Sequence, residues 1–176
     1  MSDPELAPRI AGLLRDVPDF PTPGILFKDI SPLLADGPAF DAVIQGLAAL
    51  VDRPVDLVAG VEARGFLIAG ALACQLECGL VPVRKAGKLP PPTMRRSYDL
   101  EYGSAEIEVP VGVLDGKRVL LVDDVLATGG TLRAAAELLT DAGATVVGMA
   151  VIVELGFLGG RAALQGLPAL RALLTV

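Results

Sequence analysis

Asp123 and Asp124 stand side by side at the end of an apolar run, and Ala127-Thr128-Gly129-Gly130-Thr131 follows them. Ionised carboxylates only accept hydrogen bonds, so the pair suits sugar hydroxyls or a hydrated divalent cation. A glycine-rich turn that opens a helix offers unpaired backbone N–H groups and the positive end of the helix dipole, which suits a phosphate. The acids would repel that phosphate, so the two halves of the segment must hold different parts of one ligand. A phosphorylated sugar meets both demands. Each half also has a plain explanation: an Asp at a strand end is often merely solvated, and a Thr before Gly-Gly is often a helix cap. The stretch is not a P-loop, because no G-x-x-x-x-G-K-[ST] occurs.

Three other segments carry candidate groups. Val61-Glu62-Ala63-Arg64-Gly65 again joins a strand to a glycine-bearing turn, with one Arg able to fork two N–H groups onto a phosphate. A local salt bridge from Arg64 to Glu62 or Asp56 is the plain alternative. Arg84, Lys85, Lys88, Arg95 and Arg96 put five cations within thirteen residues. They predict either a local positive field or a solvated charge run. A loop of that length inside a compact domain is uncommon and often acts as a lid. Phe20-Pro21-Thr22-Pro23-Gly24 predicts a rigid turn leading to a half-buried segment around Phe27, where core packing is the natural reading.

The elements that must hold these groups follow from periodicity. Helices are expected over Leu6–Val17, Phe40–Val51, Phe66–Glu77 and Gly156–Gln165. Another follows Thr131, with Leu132, Ala135, Ala136 and Leu139 on one face. Strands are expected over Asp56–Val61, Leu80–Val83, Arg118–Val122, Thr145–Val153 and near Leu173. Tyr98–Val109 alternates like a hairpin after a proline-rich loop from Arg84 to Ser97. Strands alternating with helices predict an α/β domain around a mostly parallel sheet. At 176 residues one domain, 1–176, is expected.

Composition removes several chemistries. The chain has no histidine, which excludes Ser-His-Asp and Cys-His catalysis and His-ligated metals. Any metal must be a hard, oxygen-bound ion such as Mg²⁺. A net charge of −6 opposes non-specific nucleic-acid binding. The longest uncharged apolar run, Gly65–Leu76, falls short of the roughly 20 residues of a membrane span. The first residues do not read as a secretion signal, and Cys74 and Cys78 read as small core residues, so a reducing cytoplasm is expected.

The string VLLVDDVLATGGT resembles the signature of the type I phosphoribosyltransferases, and Val61–Gly65 resembles their pyrophosphate loop. RKAGKLP with SYDLEYG, and FPTPGILFKDISPLL near the N-terminus, are similar to segments of the adenine phosphoribosyltransferases. The resemblance implies a type I fold with an N-terminal hood over about 1–34 and a flexible catalytic loop over about 86–104. It implies a homodimer that makes AMP and pyrophosphate from adenine and phosphoribosyl pyrophosphate, in purine salvage. No nucleic-acid or membrane partner is expected. Asp123 and Asp124 would meet the ribose, and Ala127, Thr128, Gly129, Gly130 and Thr131 would wrap its phosphate. Arg64, Arg84, Lys85 and Lys88 would hold the diphosphate. Leu26 and Phe27, with Lys28 nearby, would take the adenine, Glu101 would handle its proton, and Tyr102 would cover the site. Mg²⁺ would be bound mainly through substrate, with Asp123 and Asp124 as the protein groups able to reach it. Two departures stand out: Pro90-Pro91-Pro92 stiffens a segment expected to hinge, and Lys28 stands where an Arg is frequent. The rival is a non-catalytic sensor of phosphoribosyl pyrophosphate, which would need a basic DNA-binding segment.

Overall fold

A computed structural model describes residues 4–100 and 103–176. Apolar, β-branched runs form the central strands β3 (Leu57–Val61), β4 (Gly79–Lys85), β7 (Arg118–Leu126), β8 (Thr145–Glu154) and β9 (Leu170–Thr175). These five are parallel, in the order β4-β3-β7-β8-β9. An antiparallel hairpin, β5 (Thr93–Leu100) and β6 (Gly103–Pro110), extends the sheet beyond β4. A separate two-stranded sheet pairs β1 (Arg15–Pro18) with β2 (Leu26–Asp29).

Both faces of the parallel sheet are covered, as unbroken apolar strands require. On one face Ala59, Val61, Leu121 and Val151 pack against α5 (Gly130–Asp141) and the hairpin residues Ile107 and Val109. The expected stripe of α5, Leu132, Ala135, Ala136 and Leu139, is buried there. On the other face Val58, Leu120, Val122 and Ile152 meet α1 (Leu6–Leu13), α3 (Gly37–Ala49) and α4 (Arg64–Gln75). The short α2 (Ser31–Ala35) links β2 to α3. Among the described residues no helix is long and apolar enough to cross a membrane.

Several elements differ from the sequence expectation. The first helix stops at Leu13 instead of Val17, because Arg15–Pro18 is drawn into pairing with β2 and Arg15 bridges Asp29 at 2.6 Å. Helix α3 begins at Gly37, three residues early, where the Asp36 carboxylate caps the Ala39 N–H. Strand β7 runs on to Leu126, so both acids lie within its last turns of pleat instead of beyond its end. Half of the stretch expected as a loop is strand: Arg84 and Lys85 end β4, and Thr93–Ser97 belong to β5. The last helix divides into a 3₁₀ turn, Gly156–Leu158, and α6, Gly160–Ala163. Cys74 is exposed and Cys78 only partly buried, so neither is the core residue expected.

Candidate active site

Strands β3 and β7 are neighbours, and the chain runs from β3 through α4 to β4 on one side and from β7 through α5 to β8 on the other. Ligands of open α/β sheets bind at such a reversal, beyond the carboxyl ends of the strands. Here that crevice lies between the Glu62–Ala63 turn, whose peptide bond is cis, and the acids of β7. Helix α4 starts at Arg64 and crowds the strand. A Cβ on Gly65 would come within 3.1 Å of Asp123 Oδ1 and 3.2 Å of the Val122 carbonyl oxygen. A side chain there would be tight, so glycine eases the approach that brings the Arg64 turn and the acids together.

Arg64 Nε sits 2.7 Å from Asp124 Oδ2, so the alternatives of Glu62 and Asp56 as its partner are both set aside. Glu62 pairs with Arg84, and Asp56 with Arg118. The contact lacks hydrogen-bond alignment, and the buried Asp124 Oδ2 has no hydrogen-bond donor among the described residues. The same guanidinium lies 5.0 Å from the centre of the Phe27 ring, which Phe20 meets edge-on at 5.1 Å. One arginine therefore joins the N-terminal segment to the acid pair. Burial first, and then the Asp124 charge, push the Asp123 carboxyl well above the ordinary carboxylate range.

The phosphate turn follows directly. Gly129 caps α5 in the left-handed region at φ +86°, and no side chain caps the helix. A Cβ there would stand 2.5 Å from the Gly160 carbonyl oxygen, because the start of α6 backs the turn. Arg161 holds that backing by gripping Glu154 with contacts of 2.7 Å. The first N–H groups of α5 thus face out with no helical acceptor. Thr128 is exposed, while Thr131 donates to the Tyr98 hydroxyl at 3.4 Å, linking the turn to the hairpin.

The five cations of the basic stretch, of which Arg84, Lys85 and Lys88 were expected at the diphosphate, divide in two. Arg84 gives Nε to Glu62 at 3.4 Å and Nη1 to the Lys88 carbonyl at 3.1 Å. Arg95 is held by Glu108 at 3.0 Å, and Arg96 by Glu137 and Asp141 at 2.8 and 2.5 Å. Lys85 and Lys88 are exposed, and among the described residues no ion pair engages either ammonium group. The five-cation field expected from the sequence is therefore mostly neutralised, with two lysines left over.

The remaining expected residues fall less neatly. Leu26 and Phe27 lie on β2, and Phe27 reaches the site through Arg64. Lys28 turns its ammonium to Asp16 at 2.5 Å, directly across the β1–β2 ladder, and so braces that hairpin. Glu101 and Tyr102 lie outside the described residues. Sequence reasoning missed Glu108, which is buried and accepts from the Lys88 and Leu89 N–H groups at 2.7 and 2.8 Å. Burial pushes this carboxyl up, but those backbone donors, with Gly87 and the Thr93 hydroxyl, more than offset it and hold it at about 2. A cavity of about 280 Å³, lined by Leu50, Val146 and Pro168 among others, opens near the start of β8; none of these site residues lines it.

Residues 33–161 match the family model for the phosphoribosyl transferase domain. An adenine phosphoribosyltransferase of Mycobacterium avium (strain 104) is 56% identical over 165 residues, covering 93% of this chain and 91% of that protein. This chain belongs to the phosphoribosyl transferase family. Among solved structures, the adenine phosphoribosyltransferase of Thermoanaerobacter pseudethanolicus matches with a TM-score of 0.92 and 46% identity, over 97% of this chain and 99% of that one. The Giardia lamblia enzyme, solved with 9-deazaadenine, matches with a TM-score of 0.91 and 39% identity, over 97% of each chain. The central sheet and the parallel strands around β3 are the α/β frame of this phosphoribosyl transferase family.

Proposed function

We infer that this chain transfers the 5-phosphoribosyl group of phosphoribosyl pyrophosphate to adenine, forming AMP and pyrophosphate in purine salvage. The observation that carries the reading is the row Phe27–Arg64–Asp124, set across the switch point from the turn that opens α5. It offers an aromatic face, a cation, an acid pair and free N–H groups in one crevice. Those are the needs of a base, a diphosphate, a ribose and a terminal phosphate.

In this reading N9 of adenine displaces the diphosphate at the anomeric carbon through an oxocarbenium-like transition state. Arg64, Lys85 and Lys88 meet the charge that builds on the leaving diphosphate. Asp123 and Asp124 accept from the ribose hydroxyls, and residues 127–131 grip the phosphate that does not react. Binding energy from that remote group positions the centre that does. Leu26 and Phe27 receive the base, Glu101 moves the proton at the adenine ring, and Tyr102 covers the site.

Mg²⁺ fits the same crevice. Asp124 Oδ2 is buried without a hydrogen bond and lies beside the Asp123 carboxylate, a pair of hard oxygen donors. Among the described residues no three ligating side chains gather, so substrate oxygens would supply most of the coordination. Bound there, the ion would screen the negative charge of the diphosphate. A homodimer belongs to the same proposal: Leu67, in the first turn of α4 beside Arg64, is 57% exposed and gives apolar surface for a second copy to cover. The free thiols of Cys74 and Cys78 suit a reducing cytoplasm.

The test is to incubate the purified protein with Mg²⁺, phosphoribosyl pyrophosphate and a panel of adenine, guanine, hypoxanthine, xanthine and orotate. AMP is the expected nucleotide. Formation of another nucleotide instead, or binding of phosphoribosyl pyrophosphate with no turnover, would overturn the assignment.

A further inference from the structure

The two lysines beside the crevice raise a physical question: what keeps them pointing out in a chain with an excess of carboxylates? Pairing either Lys with a neighbouring acid would cancel charge that the diphosphate needs. Here the nearby acids are engaged differently. Glu62 Oε2 accepts the Lys85 backbone N–H at 2.9 Å, and Glu108 Oε1 accepts those of Lys88 and Leu89 at 2.7 and 2.8 Å. Between them, the Ala86 N–H donates to the Glu106 carbonyl at 2.9 Å. The carboxylates bind the main chain of the basic turn, and both Nζ atoms stay free of ion pairs among the described residues.

Glu108 is committed further. Its second oxygen takes the Thr93 hydroxyl at 3.1 Å and Arg95 Nε at 3.0 Å, which fixes the base of the hairpin to the same group. Alternation along β6 sends Ile107 and Val109 into the core and Glu108 to the opposite side, where the turn folds over it and leaves it 0% exposed. Burying an ionised glutamate is costly unless donors surround it, so four donors at this carboxylate define one geometry for the turn. Glu62 adds a second constraint. It sits two residues before Arg64, so its bond to Lys85 sets the lysine segment in register with the Arg64 turn.

We propose that Glu62 and Glu108 are positioning residues for diphosphate binding, clamping the backbone of residues 84–89 so that the ammonium groups of Lys85 and Lys88 converge with Arg64. This rests on the reading of the crevice as a phosphoribosyl pyrophosphate site. Glutamine keeps the size of the side chain but turns one acceptor into a donor, which then faces an N–H group or a guanidinium. The turn should loosen while the fold and the base pocket stay in place.

The test measures magnesium pyrophosphate affinity by calorimetry, together with steady-state kinetics, for Glu62→Gln, Glu108→Gln, Lys88→Ala and the Glu108→Gln/Lys88→Ala pair. Each glutamine variant should weaken pyrophosphate binding and raise KM for phosphoribosyl pyrophosphate by about tenfold, with KM for adenine and kcat within threefold of wild type. Because Glu108 acts through Lys88, the double variant should be no more than twofold weaker than Lys88→Ala alone. A purely structural role would instead lower kcat and stability and raise both KM values together, and its effect would multiply with that of Lys88→Ala. Should Glu108→Gln fail to fold, Glu62→Gln carries the test, paired in the same way with Lys85→Ala. Wild-type protein that binds pyrophosphate normally while the glutamine variants match it would overturn this inference alone. A wild type that binds no pyrophosphate would sink the site reading as well.

Discussion

The floor of the crevice and the hairpin beside it are built on opposite principles. On the floor, parallel strands bring functional groups into contacts that are poor for stability. Asp123 and Asp124 crowd each other, Asp124 Oδ2 lacks a hydrogen bond, and Arg64 rests on Asp124 out of alignment. In the hairpin the charged contacts are better aligned: Arg95 and Arg96 donate to carboxylates at 3.0 and 2.8 Å, and Arg96 Nε alone is left without a partner there among the described residues. An unsatisfied acid beside a second acid, at the mouth of a crevice, suits a ligand, whereas carboxylates already filled by arginine donors suit the fold. The difference separates residues that work from residues that hold, even where both are charged and close in sequence.

Glu101→Gln should give the largest effect. If this residue moves the proton at the base, kcat should fall by about 10²–10⁴, read as a single-turnover rate. A rate within threefold of wild type would remove Glu101 from that role and leave the floor to account for catalysis. Asp124→Asn comes next. Losing a charged acceptor should lower kcat/KM for phosphoribosyl pyrophosphate by about 10–100-fold, with little change in adenine affinity. Equal Michaelis constants for the mutant and wild type would count against the ribose assignment.

The division of the cations is tested by a smaller pair of changes. Lys88→Ala should raise KM for phosphoribosyl pyrophosphate by at least about tenfold and leave Tm nearly unchanged. Arg96→Ala should do the opposite, because it breaks two partly exposed ion pairs to α5. Such pairs contribute up to about 1 kcal/mol each, so Tm should fall by roughly 2–6 °C while KM stays within twofold. If Arg96→Ala hits substrate affinity as hard as Lys88→Ala, the hairpin arginines are not merely structural and the contrast fails.

The sequence made the floor legible and the hairpin much less so, for physical reasons. Strand β7, the acids and the glycine turn are local: each is set by neighbours along the chain, so composition and order reveal them. Gly65 could be read as a turn residue, but its contact with Asp123 depends on how α4 packs. The hairpin depends on partners far along the chain. Arg96 meets Glu137 and Asp141 more than forty residues away, and Glu108 becomes buried only because residues 86–89 fold back over it. Period-two alternation places Glu108 on the solvent side with Glu106, so no local signal marks it. Counting cations likewise could not show which were already paired. Arg15–Pro18 was lost to strand pairing for the same reason, since Asp29 and Lys28, which hold it, lie more than ten residues on.

The smallest effect tests the floor in the absence of ligand. Asp123 has its carboxyl raised in the folded chain by burial and by Asp124. The stabilisation from such a group is fully present below the unfolded value, about 3.9, and is lost as pH rises through the higher folded value. Once pH has risen through that folded value, the ionised Asp123 works against the unliganded fold. Asp123→Asn keeps the shape and removes the charge, so the unliganded mutant should melt a few degrees higher than wild type at pH 8. The gap should close as pH is lowered towards 4. Saturating magnesium and phosphoribosyl pyrophosphate should reverse the ranking, because only the carboxylate offers two acceptors to the ribose or the ion. A mutant that is less stable at every pH, with or without ligand, would mean that Asp123 belongs with the hairpin arginines as a residue that holds the fold.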